Sequence, residues 1–334
     1  MQFIDYDWKA YSRLDKKQRS EQISHLIPCG YDYDLYDLEF TFVPLKEMQT
    51  ISQEIDDLYN DIKIVDNTVQ LEHEVYFTSK IEGADTTIQR THELITQEDK
   101  PKNFSENMVI GAYNATKFLN LHPGKMSVDL ILETWNILVE DACANSSIRG
   151  ERFRTGNVQV GKHVGMHKDY IEGAIEKFVD YYESIDLNNY PYIKAAILHY
   201  IFEFIHPFCD GNGRLGRLLM LNYLINNDKE KFKAIAVSPA IDADRQSYDY
   251  NFNISENVYN DITPFIIYML TVFRDSMKGL TETKDYEFLV QQFCRQNKIC
   301  YGISKRLFKN DGYNNNDLEQ FYEWLLEGNG FKID

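Results

Sequence analysis

The stretch His206-Pro-Phe-Cys-Asp210-Gly-Asn-Gly-Arg214-Leu-Gly-Arg217 stands between two apolar runs, His199-Tyr-Ile-Phe-Glu-Phe-Ile205 before it and Leu218-Leu-Met-Leu221 after it. Proline disfavours helix at the residue before it, so the first run reads as a buried helix that ends near His206. Gly211-Asn212-Gly213 then makes a small-residue turn whose backbone N–H groups can converge on an anion. The next helix begins there, and its positive end adds to the same spot. Arg214 and Arg217 are three apart, hence on one face of the first turn, where two guanidinium forks grip neighbouring phosphates. Asp210 is a poor anion ligand but a good Mg²⁺ ligand, and His206 supplies a base near neutral pH. Helix, turn and helix thus enclose a site for a metal-bound polyphosphate with a general base beside it, the equipment for phosphoryl or nucleotidyl transfer to a hydroxyl.

Helical periodicity extends outward from this centre. From residue 44 to about residue 77, Leu45, Met48, Ile51, Ile55, Leu58, Ile62, Val65, Val69 and Tyr76 recur at threes and fours. A turn follows at Glu82-Gly83-Ala84-Asp85, with Gly83 expected as a C-cap and Asp85 as an N-cap. Further helical runs cover residues 107–119, 128–139, 170–185, 191–205, 214–225 and 259–277. The expected fold is mainly α. Thr155-Gly-Asn-Val-Gln-Val-Gly161 is the exception, alternating between glycines as a short β-hairpin or flap. Beyond about residue 285 the pattern is weak, and Asn314-Asn315-Asn316 reads as a solvated turn. That tail holds 6 Lys/Arg against 8 Asp/Glu, so it is no basic nucleic-acid binder.

Over 334 residues the net charge is -17, which repels nucleic acid, anionic membranes and free nucleotides, so a phosphate ligand needs a local basic site. One such island runs from Arg149 to Lys168, where five Lys/Arg face a single Glu. Five cysteines without CxxC spacing argue against a disulfide framework and a zinc cluster, and point to a reducing compartment. His163 and His167 are spaced as metal ligands, but no third ligand is evident and Gly165 interrupts a helix between them. No apolar h-region and no long apolar run occurs, so the expected location is cytoplasmic, with no membrane and no direct nucleic-acid partner.

The segment 206–217 resembles the Fic family (Fic/Doc-type), matching H-x-F-x-[D/E]-G-N-G-R-x-x-R at every fixed position. Arg154-Thr-Gly-Asn-Val-Gln-Val-Gly161 is similar to the family's target-docking flap, and the resemblance spans roughly residues 78–270. It implies a Fic-type helical core and protein adenylyltransferase activity, transferring AMP from ATP to Ser, Thr or Tyr hydroxyls of target proteins with release of pyrophosphate. Carried across, His206 deprotonates the hydroxyl and Asp210 holds the Mg²⁺. Gly211, Asn212 and Gly213 stabilise the α-phosphate, and Arg214 and Arg217 bind the β- and γ-phosphates. Relatives that phosphorylate instead carry a lysine where this chain has Gly213. Gly156, Asn157, Val158, Gln159 and Val160 would dock the target by β-augmentation. Nucleotide contacts carry over to Gly161, Lys162, His163, Tyr248, Tyr250 and Asn257, although Val164-Gly165-Met166 departs from the prolines usual after the flap.

Thr78-Ser-Lys-Ile-Glu82-Gly83 resembles a second signature, [S/T]-x-x-x-E-[G/N], of the self-inhibited class with an N-terminal inhibitory helix. There Thr78, Glu82 and Gly83 form the inhibitory segment, and the glutamate pairs with the second motif arginine, here Arg217. The expected division is residues 1–100 as an N-terminal helical region with this segment, 101–275 as the core and 276–334 as a helical extension. Two alternatives share the site: removal of AMP from a modified hydroxyl, and a nucleotide-gated regulatory protein without turnover. Self-modification and a homo-oligomer are left open by the sequence.

Overall fold

A computed structural model describes residues 1–14, 18, 25–33, 38–62, 68–142, 152–161, 163–255 and 260–281. The chain divides into two compact units, Met1–Ser276 and Met277–Asp334. The expectations for the tail fall outside the described residues.

The first unit opens with a single turn, α1 (Trp8–Tyr11), after which strands β1 (Ile27–Tyr33) and β2 (Leu38–Phe42) pair antiparallel. This sheet is not expected from the sequence. The register of β1 shifts between Pro28 and Asp32, around Gly30 at φ +99°, so the alternation that betrays a strand is broken in mid-run. In β2, Phe40 and Phe42 point inward and Glu39 outward.

The run expected as one helix over residues 44–77 is two, α2 (Lys46–Asp61) and α3 (Thr68–Ile81). Ile62 turns to extended backbone at ψ 122°, yet it stays buried, so the apolar rhythm carries past the helix end and conceals it. α3 ends at Gly83, whose φ of +90° suits a glycine C-cap. The cap of α4 (Ile88–Thr96) is Thr87, which accepts from Arg90 N at 3.1 Å, and not Asp85; the Asp85 N–H instead donates to Ser105 Oγ. Asn103 and Ser127 cap α5 (Phe104–Leu121) and α6 (Val128–Val139).

Two strands of two residues, β3 (Gln159–Val160) and β4 (His163–Val164), form the expected hairpin. α7 (Ile171–Glu183) then leads to α8 (Pro191–Ile205), which carries Pro191 in its first turn and is buried along nearly its whole length. A helix apolar on every side belongs in the middle of a core. α8 packs between α7 and α9 (Asn212–Asn226), and its interior position makes its C-terminus a rigid platform. α10 (Ser238–Ala243) packs on α3, and α11 (Arg245–Ser255) and α12 (Thr263–Thr281) follow. Among the described residues no helix is long and apolar enough to cross a membrane.

Candidate active site

α8 stops at Ile205 because Pro207 follows, and His206 closes the helix in the left-handed region at φ 52°. The loop that follows is held from three directions. Trp135 stacks on Phe208 at 4.3 Å between centroids and donates Nε1–H to the Asp210 carbonyl at 2.9 Å. The Asn212 amide bridges the loop, accepting from Phe208 N at 2.9 Å and donating to Phe208 O at 2.8 Å. Gly211, at φ +82°, occupies the N-cap of α9, and no side chain caps the helix. Asn212 therefore shapes the turn through its side chain and leaves the first N–H groups of α9 for an anion.

Both motif arginines are buried to about 1% exposure, and their circumstances differ. Arg217 donates from Nε to Thr78 Oγ1 at 2.7 Å, and from Nη2 to the Thr78 carbonyl at 3.1 Å and to Glu82 Oε1 at 2.7 Å. Burial alone would raise the Glu82 pKa, but the Arg217 charge and hydrogen bond, with Arg245 and Arg214 beyond, hold it below the ordinary range. Glu82 also lies directly over Gly213, where a Cβ would fall 2.2 Å from its Oε1. Arg214, by contrast, has no hydrogen bond from any guanidinium nitrogen among the described residues, and its nearest carboxylate oxygen, Asp210 Oδ1, is 3.5 Å away.

Beside His206 opens a cleft of about 400 Å³, lined by Gly161, His163, Glu203, His206, Arg245, Tyr248, Asp249, Phe252 and Asn253. Five of these fall on one face of α11 at threes and fours. Tyr248 is on that face, its hydroxyl 3.0 Å from His199 Nε2. Tyr250 is two residues off it, 60% exposed and outside the cleft. Lys162 and Asn257 lie outside the described residues. Burial, then the His163 and Arg154 charges, push the His206 pKa down to about 4, so its imidazole is unprotonated at pH 7 and free to accept a proton, though a weaker base than the near-neutral one expected from the sequence. Burial pushes Glu203 up to about 8 and His199 down to about 3, which makes both neutral.

Four cleft or flap residues carry a signal that motif reading passes over: Arg245, Glu203 and Asp249 around the cleft, and Arg154 at the flap. Arg245 could have been found as the first member of the 245, 248, 249, 252, 253 rhythm; Glu203 was visible only as a charge within an otherwise apolar helix. In the flap, β3 and β4 pair Gln159 with Val164 and Val160 with His163, and Gly161 makes the bend at φ +61°. The Asn157 side chain accepts from Lys168 N at 3.1 Å, and Val158 O accepts from Gly165 N at 3.1 Å. Gly156 O accepts from Arg154 Nη1 at 2.7 Å. The basic island is weaker than its count suggests. Arg154 is buried, Arg152 contacts Glu172 and Asp129, and Lys168 pairs with Asp169.

The residues present fit a nucleoside polyphosphate, since a buried guanidinium with no hydrogen-bond partner among the described residues and one long ion pair is costly unless a further anion meets it. They also fit Mg²⁺ bound in the manner usual for nucleotide sites, through one carboxylate with phosphate oxygens and water completing the shell. Asp210, 34% exposed at its side chain, would be that carboxylate, and among the described residues no cluster of three ligating side chains offers an all-protein cage.

Residues 125–224 match the model of the Fic/DOC family. The protein adenylyltransferase Fic of Nematostella vectensis is 30% identical over 200 residues, which is 58% of this chain and 44% of that one. Protein adenylyltransferase fic-1 of Caenorhabditis elegans is 32% identical over 155 residues, 44% of this chain and 30% of that one. The chain thus spans less than half the length of these curated relatives. Among solved structures, a Fic family protein from Desulfovibrio desulfuricans G20 superposes with a TM-score of 0.63 at 20% identity, covering 73% of this chain and 78% of that one. The chain carries a Fic domain, and its mainly α architecture with a short hairpin is the Fic fold.

Proposed function

We propose that this chain is a protein adenylyltransferase that transfers AMP from ATP to hydroxyl side chains of target proteins and is restrained by Glu82. The observation that carries the reading is the convergence, at the uncapped start of α9, of a neutral His206, the Asp210 carboxylate and the buried Arg214, whose guanidinium makes no hydrogen bond among the described residues. His206 takes the proton of a Ser, Thr or Tyr hydroxyl as its oxygen bonds to the α-phosphorus and the bond to pyrophosphate breaks. Backbone N–H groups of Asn212 and Gly213 face the α-phosphate, Gly211, whose N–H is taken by Asp210 Oδ1, makes the turn that lets it approach, and Arg214 and Arg217 take the charge of the departing pyrophosphate. Mg²⁺ on Asp210 would neutralise phosphate charge. Gly156, Asn157, Val158, Gln159 and Val160 receive the target strand. Thr78 and Glu82 occupy Arg217, so the γ-phosphate and Glu82 compete for one guanidinium, and Gly83 ends the helix that delivers them.

A second reading uses the same residues. Among the described residues Glu82 bonds Arg217 through Oε1 alone, and its Oε2 is left to orient a water that would strip AMP from a modified hydroxyl.

The test is incubation of a cytosolic lysate with ATP labelled at the α-phosphate, using wild type, Glu82→Gly and Glu82→Gly/His206→Ala. Labelled protein hydroxyls with Glu82→Gly, lost in the double variant, are expected. No label with Glu82→Gly, together with release of AMP from a previously modified target by the wild type, would move the conclusion to the second reading.

A further inference from the structure

Arg154 is 3% exposed and meets no carboxylate among the described residues, so its charge is spent on backbone dipoles. Nε donates to the His206 carbonyl at 2.7 Å and Nη1 to the Gly156 carbonyl at 2.7 Å; Nη2 donates to the Met166 carbonyl and reaches the Ile205 carbonyl at 3.4 Å. Its backbone N–H donates to Pro207 O at 3.0 Å. Two of the side-chain acceptors are carbonyls at the C-terminal end of α8, which lack partners within the helix. The other two, Gly156 and Met166, stand at either foot of the β3–β4 hairpin. One planar fork therefore ties both legs of the flap to the turn that carries the base.

We propose that Arg154 is a positioning residue for the transfer reaction, locking the docking flap and the His206 turn into a single frame. This rests on the adenylyltransferase reading for its consequence, though not for its geometry. A target strand laid on the flap presents its hydroxyl to His206 only while flap and turn keep a fixed distance, and an error near 1 Å costs about 10² in rate. Gly165 belongs to the same device. A Cβ there would lie 3.1 Å from Arg154 Nη2 and 3.3 Å from the His206 Cβ, so glycine makes room for the fork. Lysine cannot replace the arginine, because an ammonium is a point charge without five donors in a plane. The guanidinium charge also helps to keep the imidazole unprotonated, after burial and His163.

The full chain in the Glu82→Gly background serves as the test, with Arg154→Lys and Arg154→Gln. Four measurements are made: melting temperature, ATP-dependent thermal shift, NMR titration of His206 in histidine-labelled protein, and amide exchange of the flap. Arg154→Lys keeps the charge, so the His206 midpoint stays put while flap amides exchange faster and self-labelling falls at least tenfold. Arg154→Gln loses both, so the midpoint also rises, by about half a pH unit for removal of a unit charge a few ångströms away. ATP still shifts the melting temperature in both variants, since the phosphate groups meet other residues. Folded variants with wild-type flap exchange and labelling would overturn the proposal. So would loss of folding in both, which would make Arg154 structural only. Absence of labelling in the Glu82→Gly parent would count against the adenylyltransferase reading instead, and the exchange and titration arms would still decide the role of Arg154.

Discussion

Arg214 and Arg217 share one face of α9 and the same depth of burial, yet Thr78 and Glu82 take up Arg217 with hydrogen bonds while Arg214 makes no hydrogen bond among the described residues and has only a loose ion pair with Asp210 at 3.5 Å. The resting molecule thus holds one phosphate-binding group engaged and leaves the desolvation of the other offset only by one long ion pair. Replacing Arg214 by a similar-sized apolar residue should stabilise the protein while ruining the site. Arg214→Met is expected to raise the ligand-free melting temperature by about 2 °C or more, a size that corresponds to roughly 1 kcal/mol in a domain of this class. It should also abolish the upward shift that ATP gives the wild type. A lower melting temperature with an intact ATP shift would show that the ion pair with Asp210 outweighs the desolvation of Arg214 and that Arg214 is no phosphate ligand.

Glu82→Gly removes the carboxylate from Arg217 and leaves Thr78 in place. Labelling of protein hydroxyls should rise at least tenfold, for which a change of about 1.4 kcal/mol suffices. Arg217→Ala should not reproduce the gain, because it loses the grip on phosphate together with the restraint. Equal labelling by wild type and Glu82→Gly would reduce Glu82 to part of a helix end.

Gly213 offers a steric route to the same release. A Cβ at this position would lie 2.2 Å from Glu82 Oε1 and 3.3 Å from Arg217 Nη1, so Gly213→Ala must push the Glu82 carboxylate aside. The alanine also narrows the phosphate turn, and only a double-mutant cycle separates the two effects. In the Glu82→Gly background it should simply lower labelling; in the wild type that loss should be offset by release of Arg217. Identical fold-changes in the two backgrounds would show that Gly213 and Glu82 do not communicate.

The centre of this site was readable because its residues are contiguous: His206, Asp210, Gly211 and both arginines fall within twelve positions whose helix, turn and helix follow from Pro207 and the glycines. Residues that act from a distance were not. Glu203 looks like one charge in a core helix, and nothing before folding shows that α11 will bring Arg245 and Tyr248 over it. Arg154 counted as part of a basic surface until its four carbonyl partners appeared. In the fold, the mainly α class follows from periodicity. β1 escaped through its bulge and the break at Ile62 through its burial, and Tyr250, a nucleotide contact implied by the resemblance alone, is turned away from the cleft by its helix.

Asp210 is the carboxylate that the proposed function gives to Mg²⁺, and its Oδ1 accepts from Gly211 N at 2.6 Å. Asp210→Ala should cut transfer by more than tenfold at saturating ATP, with excess Mg²⁺ restoring it only in part. The part of the ATP-induced thermal shift that depends on Mg²⁺ should vanish as well, a readout independent of turnover. Full transfer by the wild type in EDTA would remove the metal from the scheme.

Glu203 gives the chain an acid whose titration opposes the usual trend. Its carboxyl is 9% exposed, its Oε1 has no hydrogen-bond partner among the described residues, and burial pushes its pKa to about 8 against the attraction of Arg217 and Arg245 and with the repulsion of Glu82. In the unfolded chain it titrates in the ordinary carboxylate range, so between there and about 8 the folded state holds a proton that the unfolded state has lost. The sign follows from linkage: this group's contribution is fully present below the unfolded value and is lost as pH rises through the folded one. His199, pushed down to about 3, acts in the other direction, costing stability as pH falls below its ordinary value. Comparing Glu203→Gln with wild type cancels the His199 contribution and isolates the glutamate. The melting temperature of the variant relative to wild type should climb steadily from pH 5 to pH 8, because the amide has no proton to lose. His206, at about 4, is already neutral across that window, so the two activities can be compared there without a change in the base. A difference in melting temperature that stays constant with pH would show that Glu203 is ionised in the folded protein and that a counter-charge reaches it in solution.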